Sequence, residues 1–246
     1  LMMFPSLDRV KAIAQGYDIV PVYMELLSDV RTPISVLKAL KQVSSHTYLL
    51  ESADNSNHWG RYSFLGYDPK IELFCKNHQM TIKDGTTRTF ACSDPAAEIR
   101  RILHQYKSPR LEELPTFTGG FVGYFACEYI RYIEPTLDVP VSDDDSAMVN
   151  DVDLMLFDKV IAFDHYKNKI YLIANIGTED LERNYNKAEL ELKALADLVL
   201  HGKEADVPKG LLQSDFTSEF TKEEFEAVVT KTQHYIKEGD IFQAVV

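Results

Sequence analysis

An α+β fold is expected, with antiparallel β-sheets packed as a sandwich with flanking helices, because three signals recur along the 246 residues. Short apolar runs alternate with turn residues from Tyr48 to Cys92, as antiparallel neighbours require. Capped, amphipathic stretches are interspersed among these runs, the arrangement of helices set against such sheets. Hydrophobic residues make up 45% of the chain and aromatics 11%, ample for a packed core.

From the start, Ser6 can cap a short helix through Ile13 and Ala14 that Gly16 stops. Ile19 to Met24 is extended, and Pro21, with no N–H to give, favours an edge strand. Thr32-Pro33 combines a hydroxyl cap with proline at the first helical position, and Ile34, Leu37, Leu40 and Val43 follow at helical spacing. Strands are expected at Tyr48 to Glu51, Arg61 to Leu65, Ile71 to Cys75, Met80 to Lys83 and Thr87 to Cys92, with a hairpin turn at Asp84-Gly85. Asp94-Pro95 opens a helix bearing Ile99, Ile102, Leu103 and Tyr106. A strand region follows from Phe117 to Phe125.

Val152 to Phe163 and Lys169 to Ile176 read as two long strands joined by a turn at Asp164 to Asn168. The helix after them, about Asp180 to Leu200, carries Leu181, Tyr185, Leu192, Leu195 and Val199 on one stripe. Thr221 and Glu224 form a capping box, and Phe225 to Ile236 continue a helix that ends at Gly239. Ile241 to Val246 is an apolar run with strand character, so the chain reads as a piece of a longer protein. Residues 1–200 are taken as one domain, 201–214 as a linker with Gly202, Pro208 and Gly210, and 215–246 as the start of a second domain.

Twenty-six basic against 38 acidic residues give a formal charge of −12, which repels a phosphate backbone and argues against nucleic-acid binding. Cys75, Cys92 and Cys127 are odd in number and widely spaced, suiting reduced thiols of a cytoplasmic protein. The longest apolar stretch, Gly119 to Cys127, is too short to cross a bilayer, so no membrane partner is expected.

Sequence motifs supply no self-contained active site. Gly119-Gly120-Phe121-Val122-Gly123 lacks the order of a phosphate-binding loop; glycines inside a strand more often admit another backbone. Asp143 to Asp145, with Asp151 and Asp153, lack the spacing of a calcium loop. The seven histidines show no paired metal-ligand spacing, and no serine or cysteine sits in a nucleophile signature.

One stretch has the makings of a ligand shelf. Tyr48, Leu49 and Leu50 form an apolar strand ending in Glu51 and Ser52, and after a polar loop a second strand starts at Arg61. A hydroxyl, a carboxylate and strand-end backbone groups can meet the charged end of an amino acid while apolar side chains hold its ring. Strands also end in polar residues simply because the chain is leaving the core.

Five ordered blocks add to that reading: Pro21 to Leu37, the LLES to GRYSFLGYDP segment, GGFVGYFACEYIRYIE from Gly119, FDHYKNKIYLIAN from Phe163, and YIKEGDIFQAVV at the end. Together they resemble anthranilate synthase component I, with aminodeoxychorismate synthase component I as the alternative and a stand-alone binding module as a third possibility. The resemblance implies conversion of chorismate and ammonia to anthranilate and pyruvate, with a glutamine amidotransferase subunit as ammonia source and magnesium required. It implies that the magnesium ligands and catalytic groups lie in a second half beyond these residues, leaving the chain inactive alone. It further implies feedback inhibition by L-tryptophan, with Ser52 in the inhibitor-binding position, Glu51 beside it at the amino acid's polar end and Arg61 bordering the pocket.

Overall fold

The computed structural model describes residues 1–29, 31–52, 60–134, 136, 149–206, 208, 210–211 and 213–246. Two units, Leu1–Asp206 and Val207–Val246, each hold together by their own contacts.

In the first unit the elements run β1 (Met3–Phe4), α1 (Leu7–Ile13), β2 (Ile19–Leu27), α2 (Pro33–Leu40), β3 (Thr47–Leu50), β4 (Tyr62–Tyr67), β5 (Ile71–Lys76), β6 (Gln79–Lys83), β7 (Thr87–Ala91), α3 (Pro95–Leu103), β8 (Gly120–Phe125), α4 (Ile130–Ile133), β9 (Val152–Phe157), β10 (Lys159–Asp164), β11 (Lys169–Gly177) and α5 (Leu181–His201). The strands form two antiparallel sheets, one ordered β1-β2-β11-β10-β4-β3 and the other β7-β6-β5-β9-β8. The α+β class and the antiparallel pairing are those read from the sequence.

The period-2 geometry of strands sorts the first sheet's side chains between two clusters. Val20, Val22, Met24, Leu26, Ile161, Phe163, Ile170 and Leu172 point to one face, where α2 contributes Val36 and Leu40, and α5 contributes Leu192, Leu195 and Val199. Tyr23, Val160, Ala162, Tyr171 and Ile173 point to the other, covered by Leu111, Leu114 and Phe117. Burial on both sides is why β2, β10 and β11 read as continuous apolar runs rather than alternating ones. In the second sheet Ile71, Leu73, Cys75, Met80, Ile82, Val152, Leu154 and Leu156 gather against Ile99 and Ile102 of α3.

Several expectations are corrected. The run from Val152 to Phe163 is not one strand: β9 ends at Phe157 in the second sheet, and β10 begins at Lys159 in the first. Asp158 is the single residue at which the chain changes sheets, a switch that an unbroken apolar pattern conceals. On α2 the buried residues are Val36, Ala39 and Leu40, while Ile34 and Val43 are exposed; the helix stops at Leu40, so the stripe extrapolated to Val43 loses its last turn. Pro21 lies in the second strand of its sheet, where two-residue β1 covers only Tyr23 and Met24, leaving the proline's non-donating side unpaired. Residues 241–246, all described, form no strand.

The strand glycines do admit neighbouring backbone. A Cβ on Gly123 (φ +157°) would overlap the carbonyl of Asp153 on paired β9, and one on Gly119 (φ +155°), just before β8, would lie 3.0 Å from the Phe157 carbonyl oxygen and 2.6 Å from the Asn175 side chain. In the second unit, α6 (Lys222–Glu238) is capped reciprocally by Thr221 and Glu224 and ends on Gly239 in the left-handed conformation. None of the described residues of α6 is buried.

Candidate functional site

β3 is an edge strand whose pairing with β4 runs from Thr47↔Tyr67 to Leu50↔Phe64. Glu51 and Ser52 therefore emerge just past the last paired residue, both exposed. Residues 53–59, the polar loop expected after them, and Asp143 to Asp145 lie outside the described residues.

Tyr48 stands opposite Gly66 on β4. A Cβ on Gly66 would overlap the Tyr48 ring, so glycine there lets the ring lie across β4 and meet Phe157 edge-on, centroids 4.7 Å apart. Burial raises the pKa of the Tyr48 hydroxyl, whose oxygen has no hydrogen-bond partner among the described residues.

Arg61 is held by a carboxylate of its own chain. Its Nε donates to Asp164 Oδ1 at 3.0 Å and its Nη2 to Oδ2 at 2.6 Å, a two-pronged pairing. Asp164 is fully buried, and Oδ1 also accepts from the backbone N–H groups of Tyr166 and Lys167 at 3.1 and 3.0 Å. Burial pushes this carboxyl's pKa up, but the Arg61 hydrogen bond, the backbone donors and the guanidinium charge outweigh it, and the net shift is downward. The Arg61 carbonyl in turn accepts from the His165 N–H at 2.9 Å. Its guanidinium lies 4.8 Å from the Tyr62 ring centre and 5.5 Å from that of Tyr166. Arg61 thus pins the β10–β11 turn to the start of β4, and any anion arriving at the shelf meets a cation already matched by Asp164.

Two residues beyond Arg61, within β4, Ser63 is buried. Its Oγ lies 2.7 Å from His165 Nε2 and donates to Glu51 Oε1 at 3.5 Å. The structure therefore joins Glu51 through Ser63 to His165, and anchors Arg61 on the adjoining Asp164. Ser52 sits at the same strand end, next to Glu51. Sequence reading misses Ser63, Asp164 and His165; the available signal is the polar Asp164-His165 pair closing an apolar strand, which taken alone reads as turn residues.

A separate cleft of about 520 Å³ opens where the chain changes sheets, lined by Asp18, Lys70, Tyr106, Asp158, Lys159 and Glu191 among others. Burial raises the Asp158 pKa against the opposing pull of Lys159 and Lys70. None of Glu51, Ser52 and Arg61 lines it. Among the described residues no three His, Cys, Asp or Glu side chains are grouped to hold a metal ion. No helix among them is long and apolar enough to cross a membrane.

The chorismate binding enzyme family matches residues 46–246, which include the shelf, and the chain belongs to that family. Among curated relatives, "Anthranilate synthase component 1" of Acetivibrio thermocellus is 34% identical over 99% of this chain and 50% of its own length. The protein of the same description from Acinetobacter calcoaceticus is 37% identical over 94% of this chain and 46% of its own. The chain spans about half the length of these relatives. A solved structure, anthranilate synthase component I from Streptococcus pneumoniae TIGR4, is 24% identical with a TM-score of 0.48 over 87% of this chain and 46% of that one, a likeness too loose to add to the assignment.

Proposed function

We propose that the chain is the tryptophan-regulated part, and the beginning of the catalytic part, of an anthranilate synthase component I. The observation that carries the regulatory reading is the delivery of Glu51 and Ser52 beyond the end of β3, beside a polar cluster built by β4 and the β10–β11 turn. An amino-acid head group needs an acceptor for its ammonium and donors for its carboxylate. Glu51 supplies the first, and the Ser52 hydroxyl with strand-end backbone supplies the second. Arg61 borders the site as a wall held by Asp164. The names of the relatives support the enzyme assignment.

In this reading the whole enzyme adds ammonia to the chorismate ring with loss of the ring hydroxyl, then eliminates pyruvate. A glutamine amidotransferase subunit supplies the ammonia. The catalytic groups and magnesium ligands belong to residues outside this chain, which alone is inactive. Tryptophan inhibits by binding the inactive arrangement of the enzyme more tightly and shifting the population towards it.

The test is the complete polypeptide carrying these residues, assayed with chorismate and an ammonium salt for the fluorescence of anthranilate, with and without L-tryptophan. Anthranilate formation suppressed by tryptophan is expected. Aminodeoxychorismate as the product, or indifference to tryptophan, would overturn the proposal.

A further inference from the structure

Ser63 has one hydroxyl proton and, among the described residues, two neighbours that can take it. Its Oγ lies 2.7 Å from His165 Nε2 and 3.5 Å from Glu51 Oε1. If His165 Nε2 is bare, it accepts the Ser63 proton and Glu51 loses its donor. If Nε2 carries a proton, it donates to Oγ, and the hydroxyl is left to donate to Glu51. In the first arrangement exposed Glu51 can turn to water, but the Ser63 oxygen receives no donor; only the second lets Ser63 both accept from Nε2 and donate to Glu51, and at 3% exposure it has little water to replace either partner.

His165 is well placed to hold that arrangement. Its backbone N–H donates to the Arg61 carbonyl, its ring stacks on Phe163 at 22° with centroids 6.4 Å apart, and it follows Asp164, which Arg61 clamps. The imidazole is therefore presented by the turn that carries the Arg61–Asp164 ion pair, and Phe163 is the register partner of Ser63.

We infer that His165 is a positioning residue for amino-acid recognition: its Nε2–H donates to Ser63 Oγ, directing the Ser63 hydroxyl to Glu51 and fixing that carboxylate at the shelf. This rests on the regulatory site proposed above. Neither His165 nor Ser63 touches the amino acid; both act through Glu51, which is exposed and otherwise able to swing into water.

The experiment measures L-tryptophan affinity of the complete polypeptide by calorimetry for the parent, His165→Ala, His165→Gln, Ser63→Ala, Glu51→Gln and the His165→Ala/Glu51→Gln double variant. Ser52→Ala is carried as a control. Losing a hydrogen bond to a charged group weakens binding by about tenfold, so His165→Ala and Ser63→Ala are each expected to bind about tenfold more weakly. His165→Gln, whose amide N–H can replace Nε2–H, recovers most of the loss. The double variant is expected to bind no worse than Glu51→Gln alone, because His165 has nothing left to position. A merely structural histidine gives a different result: losses that add in the double variant, and no recovery with glutamine. Either of these, or parent-like affinity in both His165→Ala and Ser63→Ala, overturns the inference. Should Ser52→Ala also bind like the parent, the regulatory site itself falls; if Ser52→Ala alone is impaired, the site stands and only the role of His165 is lost. If the histidine variants fail to fold, Ser63→Ala decides by itself: tenfold weaker binding supports the relay, and parent-like binding removes it.

Discussion

Replacing Arg61 with methionine isolates the two-pronged pair with Asp164. The methionine retains the apolar stem but leaves a fully buried carboxylate with the Tyr166 and Lys167 N–H groups and the Tyr62 hydroxyl as donors. Removing one partner of a buried ion pair costs about 3–5 kcal/mol. Arg61 keeps 30% of its side chain exposed and two backbone donors remain, so the lower end, about 3 kcal/mol, is expected. Urea denaturation at neutral pH, followed by circular dichroism, reads this as a lower midpoint at unchanged slope. The pH dependence supplies a second signature. In the parent the Asp164 pKa is depressed, so its stabilisation is present above the unfolded-state pKa and is lost as pH falls through the folded value. In the variant, burial without Arg61 raises that pKa, the carboxyl takes up its proton earlier, and the gap between the two proteins narrows on acidification. A loss under about 1 kcal/mol at neutral pH, the worth of an exposed pair, or a gap independent of pH, would rule out a buried clamp of this kind.

Gly66→Ala drives a methyl group into the Tyr48 ring, and a thermal or urea melt should show the overpacking cost of about 1–3 kcal/mol. Gly123→Ala meets backbone rather than a movable side chain, at φ +157°, so it should cost more than Gly66→Ala in the same melt and speed amide exchange along β8. Thr221→Ala removes one half of the α6 capping box and should lower helical circular dichroism, with a stability loss of about 1 kcal/mol. Cys127 is exposed, whereas Cys75 and Cys92 are buried, with burial raising both thiol pKa values. Titration with an aromatic disulfide reagent should therefore count one fast thiol in the native protein and three after denaturation.

Helix caps are the most legible features of the sequence. Ser6, Thr32, Asp94 and Thr221 all accept the backbone N–H three residues on, because capping depends on neighbours a few residues away. Strand positions are legible for a similar reason, since alternation and turn residues are local. The break at Asp158 is not, because an apolar run buried on both faces looks the same whether it stays in one sheet or crosses to another. At the candidate site, Glu51, Ser52 and Arg61 are found as neighbours along the chain. Asp164 and His165 lie roughly a hundred residues away, and only the pairing of β4 with β10 brings them beside Arg61 and Ser63. A charged shelf can be read from the residues in order, but not that its arginine is already matched by an internal carboxylate.

Whether Glu51 and Ser52 end β3 in order to receive an amino acid is decided by the calorimetric dissociation constant of L-tryptophan for the complete polypeptide, parent against Ser52→Ala. Deleting one hydroxyl that bonds a charged carboxylate should weaken binding by about tenfold or more, whereas equal affinity in the two proteins would mean that the shelf does not hold the amino acid.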